Sequence, residues 1–98
     1  MASDVQELTI SYTEDGVELV RELDKEILTK GAWSTVMFRY QDWDKAKSAY
    51  GPDKYSIRRY RKINNEYRQQ SKFTISSRDQ ARQIISALSR WIELPDQQ

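Results

Sequence analysis

Residues 53–75 constrain this chain more than any other stretch. Two runs of strand-forming residues, 54–63 and 66–75, flank Asn64-Asn65, and Asn tolerates the left-handed backbone that a tight turn needs. Strand, short turn and strand give an antiparallel hairpin, so the fold must contain a sheet. Tyr67, Phe73 and Ile75 are the packing residues expected of the second run. The same stretch concentrates positive charge. Between positions 54 and 82 stand nine Lys/Arg (Lys54, Arg58, Arg59, Arg61, Lys62, Arg68, Lys72, Arg78 and Arg82) against Glu66 and Asp79, a local balance of about +7 in a chain of net charge +1. Attraction follows the local field rather than the total.

A helix follows the hairpin. Ser76 with Asp79, or Ser77 with Gln80, has the three-residue spacing of a capping box, and Asp79 complements the positive end of the helix dipole. Ala81, Ile84, Ile85, Leu88 and Ile92 recur at helical spacing with Trp91 beside them, until Leu94-Pro95 stops the run. Burying five such side chains is worth about 7–15 kcal/mol before entropy.

Upstream, residues 33–43 alternate cleanly. Val36, Phe38 and Tyr40 share one face, and Thr35, Met37, Arg39 and Gln41 the other, which predicts a strand. Residues 44–53 read as a polar connection closed by Gly51-Pro52. Residues 17–28 are open between helix and strand: Leu19, Leu23 and Ile27 recur every four residues in a Glu/Lys/Leu-rich setting. Leu8, Ile10 and Tyr12 alternate as in a short strand, with turn chemistry at Glu14-Asp15-Gly16. Residues 1–6 and 95–98 read as loose tails. The expectation is one α+β domain over residues 1–98, core about 8–92: a four-stranded antiparallel sheet, five if residues 8–12 join it, followed by a C-terminal amphipathic helix.

Composition removes whole classes of chemistry. The 98 residues include no Cys and no His, so disulfides, thiolate zinc sites and the usual general base are absent. Asp42 and Asp44 share a strand face, but no third ligand or glycine-rich anion loop accompanies them. We expect no metal, no cofactor and no catalysis. Met1-Ala2-Ser3-Asp4 lacks the basic and apolar regions of a secretory signal, and no run is long enough to span a bilayer, so the expected location is cytoplasmic. Arg78, Arg82 and Arg90 on the polar side of the helix would allow contact with a membrane surface. A stripe like this one is more often core or dimer contact, and no membrane is expected.

What remains is binding. Arg39, Lys54, Arg58, Arg61, Lys62, Arg68 and Lys72 are candidates to neutralise phosphates, and Trp43, Tyr60 and Tyr67 to stack unpaired bases. The competing reading is a solvated cationic face whose tyrosines pack on their neighbours. A second functional reading is a protein-interaction domain whose basic sheet meets an acidic partner. Asp4, Glu7, Glu14, Asp15, Glu18, Glu22, Asp24 and Glu26 crowd the first third of the chain. They read as solubilising charge, with pairing to the basic strands as the alternative.

Tyr55-Ser56-Ile57-Arg58-Arg59-Tyr60, then Lys72-Phe73-Thr74-Ile75-Ser76-Ser77 running into the helix, resembles the positive cofactor four family of transcriptional coactivators, most closely its bacterial single-stranded-DNA-binding relatives. Weaker similarity runs back through Gln41-Asp42-Trp43 and Thr29-Lys30-Gly31-Ala32-Trp33, so it covers about residues 18–92. The resemblance implies that residues 17–28 are strand. It also implies a homodimer joined through its helices that binds single-stranded nucleic acid, DNA before RNA, without sequence preference. Carried over, Arg58 and Arg61 lie where the family's strand meets backbone or bases. Trp43 falls near a base-packing aromatic, and Lys72 near a basic residue before the helix. The chain departs from the pattern in a longer connection over residues 44–52, in Asp44 where the family favours lysine, and in Phe73 for a typical glycine. That last change leaves the register of the fourth strand open.

Overall fold

Asn64 (φ 52°) and Asn65 (φ 62°) both take the left-handed conformation, which is the backbone of a two-residue hairpin turn matched to the right-handed twist of its strands. Asp15 (φ 50°) and Gly16 (φ 79°) repeat the device earlier in the chain. These turns set the topology of the computed structural model, which describes residues 3–94. Its strands are β1 (Tyr12–Glu14), β2 (Val17–Thr29), β3 (Trp33–Asp44), β4 (Ala49–Tyr50), β5 (Lys54–Ile63) and β6 (Glu66–Ile75), followed by helix α1 (Arg78–Glu93). All pairs are antiparallel in the order β1-β2-β3-β5-β6, with β4 folding back onto the end of β3. The architecture is a curled antiparallel sheet with one C-terminal helix, as the α+β expectation has it.

Residues 17–28 are strand, within β2. Glu, Lys and Leu favour helix locally, but pairing along most of β3 overrides that preference. The register of β2 shifts at two places, between Glu22 and Asp24 and between Ile27 and Thr29. Such bulges bend a strand and raise its twist.

One face of the sheet carries Val36, Phe38 and Tyr40 of β3 with Tyr60 of β5, all buried. Its cover comes from the N-terminal segment, which corrects two expectations. Residues 3–6 are not a loose tail: Asp4 and Glu7 close a capping box around a 3₁₀ turn, Val5–Glu7, and Val5 is buried. Nor do Leu8 and Ile10 lie in a strand, since β1 begins at Tyr12. Both are buried beside Phe38; the Leu8 N–H donates to the Val5 carbonyl (3.3 Å), and side chains stand in for a ladder at the Leu8 carbonyl and the Ile10 N–H. Lys25 Nζ donates to the carbonyls of Gln6 (2.6 Å) and Leu8 (2.7 Å), while the Glu22 carboxylate accepts from the Thr9 hydroxyl (2.7 Å) and the Ile10 N–H (3.2 Å). We call this side the covered face. Residues 95–98, expected to be a tail, lie outside the described residues.

The opposite, helix-bearing face is apolar at one end. Ser77 caps α1 by accepting from the Gln80 N–H (3.1 Å), and the Gln80 amide oxygen accepts from the Ser76 N–H (2.9 Å). The helix nevertheless buries none of its residues. Ile85, Leu88, Trp91 and Ile92 remain exposed, so the burial expected of the stripe is unrealised within one chain. An open groove of about 590 Å³ lies between α1 and the sheet, lined by Leu28, Met37, Tyr55, Ile57, Ile84 and Leu88 among others. The molecule is a slab of 57 × 39 × 17 Å with a radius of gyration of 16.1 Å. A compact domain of this length has about 13 Å. A second packed layer is incomplete.

Candidate nucleic-acid interface

The β5–β6 register decides what the hairpin presents. Arg58 stands directly opposite Lys72, and Arg61 directly opposite Arg68. A bulge between Arg59 and Tyr60 resolves the uncertainty at the fourth strand of the sequence reading: Gln70 is the extra residue, and side chains on both sides of it keep their faces. Alternation from Ser56 and Tyr60 places Arg58, Lys62, Tyr67 and Lys72 on the covered face, where Tyr67 packs against the core and Lys72 is exposed. Arg59, Arg61 and Arg68 lie on the helix-bearing face. Like charges directly opposite each other destabilise a sheet by about 0.2–1 kcal/mol per pair. Neither pair has a carboxylate within ion-pair distance among the described residues. Arg58 is steadied by neutral groups instead, donating from Nε to the Ser56 hydroxyl (3.3 Å) and from Nη1 to the Gln69 amide oxygen (3.1 Å).

The expected site residues divide. Arg58, Arg61, Lys62, Arg68 and Lys72 all lie on the hairpin without a carboxylate at ion-pair distance among the described residues, the first, third and fifth on the covered face and the other two on the opposite one. Lys62 Nζ rests 5.4 Å from the ring centre of Tyr67. Arg39 and Lys54 are committed elsewhere. Arg39 pairs with Asp53 at 3.6 Å, and Lys54 donates to Asp42 at 2.8 Å. The hydrogen bond to Asp42 raises the Lys54 pKa above its ordinary value, partly offset by burial.

The aromatic candidates are less available than the sequence suggests. Tyr60 is 5% exposed, packed with Val5, Leu8 and Phe38, so its ring is core and not a platform for a base. Burial pushes its pKa up, against the opposing pull of Arg58. Tyr67 is half-buried and tied down by its hydroxyl, which donates to the Gly31 carbonyl (2.7 Å) and accepts from the Ser34 hydroxyl (3.3 Å). Trp43 sits edge-on to Tyr50 at 5.0 Å. That Tyr50 is itself fixed under the Arg21 guanidinium (3.7 Å) and by a bond to the Glu18 carbonyl (2.9 Å). Ten residues along β3 also separate Trp43 from the strand position facing Arg61, about 33 Å.

Sequence reasoning passed over Trp33 and Arg59. Trp33 opens β3 directly opposite Arg61, is 42% exposed, and lies 4.6 Å from the Arg59 guanidinium carbon and 5.4 Å from that of Arg61. The alternation of Arg59 with Arg61 was visible; the approach of Trp33 depends on β3–β5 register and was not.

The acidic N-terminal third does not neutralise the hairpin. The ion pairs among described residues use Asp42, Asp53 and Asp79. Among those residues no group of three or more Asp and Glu could hold a metal ion, and no helix is long and apolar enough to cross a membrane.

Family models, curated proteins and solved structures give no match to this chain.

Proposed function

We propose that this chain is a non-catalytic, cytoplasmic, homodimeric module that binds single-stranded nucleic acid, DNA before RNA, in a transcription-related role. The observation that carries the reading is the pair of cross-strand cation pairs, Arg58 with Lys72 and Arg61 with Arg68, each unfavourable for folding and neither neutralised by a carboxylate among the described residues. Phosphates relieve such repulsion when they bind between the paired cations. An unpaired strand suits the hairpin because its backbone can follow a twisted ribbon. Resemblance to the positive cofactor four family, on the same strand and turn, points the same way.

The unfinished second layer supports the homodimer in this reading. The exposed stripe of α1 and the groove beside it fit a second copy related by a two-fold axis, since a self-complementary apolar patch closes on itself.

Fluorescence anisotropy of a labelled oligo-dT at two salt concentrations tests the binding. Affinity should fall with salt by about 0.7 log units per log unit for each phosphate engaged. Reversing Arg58 and Arg61 (R58E/R61E) with the fold intact should abolish it. Oligonucleotide held as tightly by that variant, or with no salt slope, would refute the reading.

A further inference from the structure

On the helix-bearing side of the hairpin, Trp33 and Arg59 join the Arg61–Arg68 pair in one cluster. Trp33 is paired across the ladder with Arg61, which in turn faces Arg68, while Arg59 lies diagonally on the same face. The guanidinium carbons of Arg59 and Arg61 sit 4.6 Å and 5.4 Å from the indole ring, and 42% of Trp33 is open to solvent. No carboxylate among the described residues pairs with any of the three arginines, and the acid closest along the ladder, Glu66, stands opposite Ile63.

We propose that Trp33, Arg59, Arg61 and Arg68 form a nucleotide clamp, in which an unpaired base stacks on the indole and the arginines hold its flanking phosphates. This rests on the nucleic-acid reading above and specifies the residue on which a base sits. An exposed cation–π contact is weaker than a base stacked on an aromatic ring. An arriving base therefore displaces the guanidiniums from the indole, and they turn to the phosphates. Arg59 and Arg61 project from one strand face about 7 Å apart, a separation that successive phosphates of an extended single strand match. Arg68, held against Arg61 by the ladder, is relieved of its like-charged neighbour when a phosphate lies between them. Tyr60 and Tyr67, being buried or tethered, cannot supply the platform that Trp33 supplies.

The test compares a labelled oligo-dT with an abasic deoxyribose-phosphate oligomer of equal length, binding to wild type, Trp33→Tyr and Trp33→Val. Tyr keeps a ring, Val is a good strand former, and circular dichroism verifies the fold of each. Trp33→Val should bind oligo-dT roughly 5- to 150-fold more weakly. Its salt slope should match the wild type, and on the abasic oligomer it should equal the wild type. Trp33→Tyr should keep most of the affinity. Equal loss by Trp33→Val on both oligomers would mean that the indole supports the sheet rather than a base, and would overturn the clamp. So would undiminished binding of oligo-dT by Trp33→Val. Either of those results leaves nucleic-acid binding standing, whereas failure of the wild type to bind oligo-dT removes both proposals.

Discussion

If the paired cations on β5 and β6 exist for a ligand, removing one member of each pair must make the protein more stable and a worse binder at once. The perturbation is Arg68→Thr with Lys72→Thr, which breaks both cross-strand pairs and leaves good strand residues behind. Each relieved repulsion is worth about 0.2–1 kcal/mol. The two sites lie on opposite faces, about 13 Å apart along β6, so their effects should add. At about 2.1 cal/mol/K per residue, 98 residues give an unfolding entropy near 0.2 kcal/mol/K. The double variant should then melt about 2–10 °C above wild type at low salt and equal protein concentration. Threonine's own strand preference contributes to that rise, and salt separates the two causes. In 1 M NaCl the screening length falls to about 3 Å, so the electrostatic part should vanish while any gain from strand preference persists. In oligo-dT titrations the same variant should lose about 1.4 from the slope of log affinity against log salt, the equivalent of two phosphates. Melting by circular dichroism at both salt concentrations is the assay. An unchanged or lower Tm at low salt, or a gain undiminished in 1 M NaCl, would refute the reasoning.

Leu88→Asp places a carboxylate in the groove beside α1, and two-fold symmetry counts the change twice; sedimentation equilibrium should show dimer weakened by at least about 100-fold, with the monomer still folded. Asp53→Ala removes the acceptor of the Gln41 amide (2.8 Å) and the partner of Arg39 and Arg78, and should cost about 1–3 kcal/mol in urea unfolding. For pH, burial raises the Tyr60 pKa above 10.0 and Asp42 raises that of Lys54 above 10.5, so both groups hold their protons more tightly folded than unfolded. Their stabilisation is complete below those ordinary values and is lost as pH rises through the raised ones. Urea unfolding above about pH 10 should show a decline that Tyr60→Phe makes shallower.

The parts of the fold that sequence made legible are those whose causes are local. Asn64-Asn65 forces a tight turn wherever it lies, and the bounds of β5 and β6 follow from it. Ser77 with Gln80 caps the helix by contacts three residues apart. Leu19, Leu23 and Ile27 were ambiguous for a physical reason: a spacing of four is close to one helical turn and is also two strand repeats, so it cannot separate the two. A bulge near Leu23 then breaks strict alternation where it would have helped. Tyr60 looked like a platform because its burial depends on Val5, Leu8 and Ile10, about fifty residues away. Trp33 was missed because its neighbour Arg61 is fixed only after the chain has crossed residues 44–53 and returned.

One structural alternative explains part of the charge without any ligand. β6 is an edge strand, and natural sheets discourage edge-to-edge pairing with lysine and other charges. Arg68 and Lys72 fit that role. Edge protection, however, asks nothing of an interior strand. β5 is flanked by β3 and β6, yet it carries Arg58, Arg59, Arg61 and Lys62 within five residues. Two of these directly oppose the β6 cations, which worsens the pairing that a sheet needs in order to keep its edge in place. A chain selected only to stay monomeric at that edge would put neutral or acidic residues across from Arg68 and Lys72. It would also have little reason to leave the apolar stripe of α1 uncovered. On the proposed function the cations of β5 are therefore the ones that edge protection leaves for an anion, and Arg58→Thr with Arg61→Thr is the more incisive pair. These substitutions leave the edge charges intact, so oligonucleotide binding should be lost while resistance to aggregation is kept.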